Sequence, residues 1–171
     1  MKFKNLREFI AFLEDKGELR RISIPVSWEL EITEIADRMV KQGGPALLFE
    51  NVTGYDIPVL INMYGSEQRM AWALGVDHLD ELVGRLQGLL GLIHGPPEGL
   101  LNKVRTLGQL VHLGSFQPKT VGRAPCQEIV LKGDDVDLFQ LPIIKCWPMD
   151  AGRYITLPLV ISRDPETGVQ N

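Results

Sequence analysis

Long apolar runs, basic clusters and paired cysteines are all scarce in this sequence. No hydrophobic stretch reaches the roughly 18 residues needed to cross a bilayer. Met1-Lys2-Phe3-Lys4 leads into an amphipathic pattern without the apolar core of a signal peptide. No membrane span is therefore expected, and the cytoplasm is the default location. Beyond Arg20-Arg21 no Lys/Arg cluster occurs, and the formal net charge is −4. A grip on nucleic acid, which needs several phosphates neutralised together, is not expected. The two cysteines, Cys126 and Cys146, form no Cys-x-x-Cys pair and read as reduced thiols. The three histidines, His78, His94 and His112, lack the His-x-x-x-His spacing of a metal site and read as surface or packing residues. Internal repeats and low-complexity tracts are also absent.

What remains is ordinary for a globular protein: 171 residues, 44% hydrophobic and 23% charged, enough for a sizeable core in one large domain or one and a half. Asn5-Leu6-Arg7-Glu8 has the form of a helix N-cap. Leu6, Phe9, Ile10 and Leu13 then share a face until Gly17. Residues 19–26 alternate, with Ile22, Ile24 and Val26 inward and Arg21 and Ser23 outward, and Pro25 suggests an edge strand. Ile32, Ile35, Ala36, Met39 and Val40 repeat at helical spacing and stop at Gly43-Gly44-Pro45. The short apolar runs 46–50 and 58–62 read as buried neighbours in one sheet. Ser66 is placed to cap a short helix through Leu74, and Asp77 a longer one with Leu79, Leu82, Val83, Leu86, Leu89 and Leu90 on one face. A further helix is expected over 100–113.

From Gly114 onward Pro and Gly punctuate short β-prone runs, so a second domain rich in strands is expected over 114–171, after an α/β domain over 1–113. Residues 154–162 alternate: Ile155, Leu157, Leu159 and Ile161 take one face, and Tyr154, Thr156, Val160 and Ser162 the other. Residues 163–168 (RDPETG) then read as a hairpin turn, with a returning strand beginning at Val169. A hairpin arm of three residues leaves backbone groups unpaired, so the sequence reads as the N-terminal piece of a longer protein.

Several constellations have a plain structural explanation. Gly43-Gly44-Pro45 follows a helix and precedes a strand, the reverse of a phosphate loop. Glu29, Glu31, Glu34 and Asp37 form a helix face of the kind that is usually solvated. Asp134, Asp135 and Asp137 lack the glycine and closing glutamate of a calcium loop and read as a turn. Lys145, Asp150, Arg153, Thr156 and Asn171 are different. They cluster at the ends of the expected strands, where a barrel-like sheet would open to a ligand, and the Asn171 carboxamide oxygen could serve a hard divalent ion.

Six blocks in order, residues 30–38 (LEITEIADR), 43–51 (GGPALLFEN), 123–127 (RAPCQ), 133–138 (GDDVDL), 141–143 (LPI) and 146–148 (CWP), resemble the N-terminal part of the UbiD family of decarboxylases. The likeness is nearest to the 3-polyprenyl-4-hydroxybenzoate decarboxylase branch and covers nearly the whole chain. It implies a split β-barrel domain after residue 114 that binds prenylated FMN, of which this sequence holds only the first strands. It also implies a non-oxidative (de)carboxylase acting on aromatic, hydroxybenzoate-type or α,β-unsaturated carboxylic acids. With these come a homo-oligomer and a flavin prenyltransferase as supplier of the cofactor. In the family an asparagine binds a divalent cation, usually manganese, that ties the flavin phosphate to the protein; potassium is a further candidate ion. Asn171 matches that asparagine, and Thr156 matches a threonine facing the flavin. The histidine and glutamate that complete the metal site, and the downstream arginine and acidic groups, have no counterpart in this sequence. No catalytic residue is therefore assigned within it, and the piece alone is expected to be inactive. Two other readings stand beside this one: a non-catalytic module or partner subunit of a (de)carboxylase complex, binding through its acidic helix and open sheet edge, and a reductase-type barrel that binds unmodified FMN.

Overall fold

A computed structural model describes residues 3–93 and 120–171. Helix α1 covers Leu6–Asp15, and Asn5 in extended conformation caps it, its Oδ1 accepting the Glu8 amide at 3.0 Å. Phe9 and Leu13 form its buried face. Gly17, at φ +71°, reverses the chain where a side chain would be strained. Strand β1, Leu19–Ile22, follows. Its outward Arg21 donates to Glu14 (2.7 and 3.0 Å) and Glu50 (2.7 Å), and this guanidinium holds the Glu14 carboxyl below its usual range.

Strand β1 ends four residues earlier than the alternation suggests, and Ile24, expected inward, is 67% exposed. Pro25 has no amide to give to a ladder, so the chain bends there; Val26 then turns back into the core beside Val52. Helix α2, Glu31–Lys41, buries Ile32 and Ala36 and leaves Val40 exposed at its end. Gly43, at φ +64°, stops it as expected. Strands β2 (Ala46–Phe49) and β3 (Val59–Ile61) complete a sheet of order β1-β2-β3, with β1 parallel and β3 antiparallel to β2. The parallel pair needs a crossover, and α2 supplies it. Because β2 is central, all four of its residues are buried. Val26, Ile32, Leu47, Phe49 and Val52 form the core, joined from far along the chain by Ile144. The α/β architecture is thus present.

Two compact units emerge. The first joins Asn5–Gly65 to Leu138–Asn171, and the second takes in Met1–Lys4 and Ser66–Asp137. In the second, α3 (Glu67–Ala73) is capped by Ser66, whose Oγ accepts the Arg69 amide at 3.2 Å. Helix α4, Asp80–Ile93, starts after the expected Asp77 cap. The Glu81 carboxylate accepts the amides of both Asp77 and His78, each at 3.0 Å, and so draws those residues into a turn ahead of the helix. Val83, Leu86 and Leu90 on α4 are exposed. The helix expected over 100–113, the boundary at 114, His94 and His112 lie outside the described residues.

Residues 120–171 differ most from expectation. In place of strands they contain short 3-10 turns at Pro125–Gln127, Gly133–Asp135 and Leu138–Gln140, and only isolated bridges. The turn at Asp134-Asp135 was expected; a ladder over 154–162 was also expected and is not formed. Pro158 interrupts the donors of that run, and no neighbouring strand among the described residues offers it partners.

Candidate functional site

The site region is assembled where the chain returns to the N-terminal sheet. Ile144 enters the core, and Lys145 pairs with residues 28–30: its amide donates to Trp28 O at 3.2 Å and its carbonyl accepts from Leu30 at 3.1 Å. Leu30 stands at φ +65°, a strained backbone for a residue with a side chain, and this pairing is among the contacts that hold it there. The Lys145 ammonium lies 3.5 Å from Glu29. Asp150 accepts the Trp147 amide at 2.9 Å and shapes its own turn. Arg153 is half-buried. Its guanidinium lies 3.4 Å from the Trp28 ring centroid and 4.8 Å from that of Phe139, and it donates to the Tyr55 hydroxyl. Tyr154 then returns its amide to Ile144 O at 3.0 Å.

Thr156 lies beside β3. There it lines a groove of about 220 Å³ with Val59, Ile61, Pro142, Ile144 and Tyr154. It also lines an adjoining groove of about 340 Å³ with Asn62 and Tyr64. The walls are mainly apolar, and Thr156 is shared by the two linings with Leu60 and Ile61.

Asn171 sits elsewhere, in the hollow of the hairpin. The expected turn is present: Arg163 and Gln170 form an antiparallel bridge, and the Asp164 carboxylate accepts the amides of Thr167 at 2.7 Å and Glu166 at 2.8 Å. Those donors hold the Asp164 carboxyl below its ordinary range. Asn171 closes the hairpin, its Oδ1 accepting the Ser162 amide at 2.8 Å and its Nδ2 donating to Val160 O at 3.3 Å. Thr156 and Asn171 line different hollows, so the structure does not gather them at one point.

Of the five residues grouped by sequence, Lys145, Asp150, Arg153 and Asn171 all have side chains engaged by neighbouring groups, and Thr156 lines the two grooves beside β3. The acidic face of α2 is satisfied locally: Glu34 by Arg38, Asp37 by Lys41, and Glu31 by the Ser27 amide. Among the described residues no group of three or more His, Cys, Asp or Glu could hold a metal, and no helix is long and apolar enough to cross a membrane. Trp28 and Tyr55 were missed by the sequence reading. Both lie more than eighty residues from Arg153, and no local pattern joins them.

Comparison with known proteins bears on the family. Residues 10–86 match the 3-octaprenyl-4-hydroxybenzoate carboxy-lyase N-terminal domain, and residues 119–171 the Rift-related domain of the same family. An uncharacterized protein of Archaeoglobus fulgidus is 50% identical over all of this chain and 34% of its own length. Among solved structures, an evolved dimeric form of the UbiD-class enzyme HmfF from Pelotomaculum thermopropionicum, in complex with prFMN, is similar with a TM-score of 0.68 and 31% identity. That match covers 99% of this chain and 34% of HmfF. Vanillic acid decarboxylase of Sedimentibacter hydroxybenzoicus, in closed form, matches with a TM-score of 0.68 and 30% identity, over 96% of this chain and 32% of its own. The chain thus spans about a third of the length of these relatives. Two consecutive domain matches in the family's order, on a fold shared almost end to end, place this chain in the UbiD family.

Proposed function

We propose that this chain supplies the N-terminal α/β domain, residues 1–113, and the opening part of the split β-barrel domain, residues 114–171, of a prenylated-FMN-dependent (de)carboxylase. Its substrates would be aromatic, hydroxybenzoate-type or α,β-unsaturated carboxylic acids. One observation carries the reading: the likeness over 99% of the chain to an enzyme held in complex with prFMN.

The residues present are compatible with part of such a site. The apolar grooves beside β3 suit a planar ring, and the hydroxyl of Thr156, which lines both, can orient it by a single hydrogen bond. Asn171 offers a carboxamide oxygen, a hard donor suited to manganese or potassium. The Ser162 amide takes one of its lone pairs and leaves the other. In this reading Asn171 would be one ligand of a set that the family completes with a histidine and a glutamate. When bound, the prenylated flavin supplies the electron sink needed when carbon dioxide leaves an sp² carbon, which side chains do not provide. The chain's own task is placement: Ile61 and Ile144 keep water from one wall, and the Asn171 clasp fixes the hairpin end where the phosphate-binding ion would sit. A homo-oligomer, cofactor supply by a flavin prenyltransferase and a cytoplasmic location belong to the same proposal.

The test is to purify the complete gene product from cells co-expressing a flavin prenyltransferase. Its flavin absorbance would then be recorded, and carbon dioxide release measured with hydroxybenzoates and acrylic acids. Bound prenylated flavin and turnover are expected; a product that retains no flavin and decarboxylates none of these acids would sink the reading. The exposed Leu157, Leu159 and Ile161 favour one second reading, a non-catalytic partner subunit that covers this apolar run on another chain. A native product of 171 residues by intact mass, isolated without flavin, would favour it.

A further inference from the structure

The geometry points to Arg153 as a positioning residue that sets the place of Thr156, an inference that rests on the cofactor role proposed for that threonine. Residues 155–159 take part in no ladder, so their position depends on what holds them at either end. At the far end the Asn171 carboxamide clasps Val160 and Ser162. At the near end the hold is Arg153. Its guanidinium stacks on Trp28 at 3.4 Å from the ring centroid, faces Phe139 at 4.8 Å and donates to the Tyr55 hydroxyl, while the adjacent Tyr154 amide bonds Ile144 O at 3.0 Å.

Three of these partners, Trp28, Tyr55 and Ile144, belong to or pack against the core. Trp28 accepts the Lys145 amide on its carbonyl, in the stretch where Leu30 is held at positive φ. Tyr55 packs against the sheet core, and Ile144 belongs to it. Arg153 therefore transmits the position of the α/β core to a segment that joins no ladder, and Thr156 lies three residues on. The planar fork matters. It lies over two rings and donates to a hydroxyl at once, which an ammonium on a flexible stem does only in part.

Flavin binding by the complete gene product tests the inference, with FMN fluorescence quenching as the probe and Thr156→Ala made alongside. Arg153→Ala should weaken FMN binding about tenfold, as loss of a supporting shell commonly does. Arg153→Lys should give an intermediate loss. If Arg153 acts through Thr156, the effect of Arg153→Ala should shrink to less than about twofold in the Thr156→Ala background, because coupled residues are not additive. A purely structural arginine would lower thermal stability yet leave the two losses additive. Additive losses, or an unchanged affinity in Arg153→Ala, overturn the inference and leave the proposed function standing. Should Arg153→Ala fail to fold, Arg153→Lys carries the same cycle with the same two overturning outcomes. Failure of the unmodified protein to bind any flavin would instead defeat the proposed function, and this inference with it.

Discussion

Residues 46–49 and 154–161 are both apolar runs of β-prone side chains, yet the first is buried throughout and the second stands in solvent. Phe49 is 0% exposed and Leu159 is 88% exposed. Strand β2 has β1 on one side and β3 on the other, so it pairs along both edges, and all four of its residues are buried. Residues 154–161 have Pro158 in their middle, and no neighbouring strand among the described residues pairs with them. Alternation makes a segment competent to join a sheet. Joining requires a partner in register, and that is a tertiary fact.

The contrast should be plainest in stability. In the 171-residue chain, Phe49→Ala is expected to destabilise the first unit by about 3–5 kcal/mol in urea unfolding, through lost burial and the cavity left behind. Leu159→Ala is expected to change it by less than about 0.5 kcal/mol. A cost at Leu159 approaching that at Phe49 would break the comparison. In the complete gene product, a substantial cost at Leu159 alone would show that the run acquires a covering surface there.

A smaller effect is expected at the other end of the loose run. Asn171→Ala removes both the clasp on Val160 and Ser162 and the proposed ion ligand. Manganese affinity of the complete gene product, measured by titration calorimetry, should therefore fall about tenfold, with the core unfolding transition unchanged. Full retention of metal and flavin by the mutant would falsify the role of Asn171. On the packed side, Asn5→Ala deletes the acceptor for the Glu8 amide and should lower the stability of the first unit by about 1 kcal/mol, read as a shift of its thermal midpoint. No shift would mean that α1 is held by Phe9 and Leu13 alone.

The smallest effect concerns the hairpin turn. The amides of Thr167 and Glu166 favour ionised Asp164, so its folded pKa lies below the ordinary 3.8. The unfolded chain therefore takes up the proton first as pH falls. The contribution of this carboxylate to the turn is complete above about pH 3.8 and is lost as pH drops through the lower folded value. An NMR titration of the Asp164 carboxyl with a midpoint at or above the ordinary value would remove the turn from the packed parts of this region.

Local chemistry was legible at several places where a residue acts on near neighbours, though not at Glu81, which takes the amides of Asp77 and His78. Asn5 and Ser66 cap α1 and α3 through amides three residues on, Gly17 and Gly43 end helices where positive φ is needed, and the α2 face follows a 3.6-residue period. The same holds for the turn after Arg163. Pro25 and Pro158 were visible too, but their effect on a strand depends on whether the missing donor faces a partner, and the sequence does not say which. By itself, then, the sequence determined the α/β pattern, the ends of α1 and α2, the cap of α3, the family blocks and the choice of Thr156 and Asn171 as candidates. Only the tertiary structure decided that Ile144 would enter the first core, that Arg153 would stack on Trp28, and that Thr156 and Asn171 would line separate hollows. The physical reason is one of range. Caps, turns and the Asn171 hollow are settled by hydrogen bonds across a few residues, whereas Ile144, Arg153 and the Thr156 grooves depend on surfaces brought together from residues about a hundred positions apart.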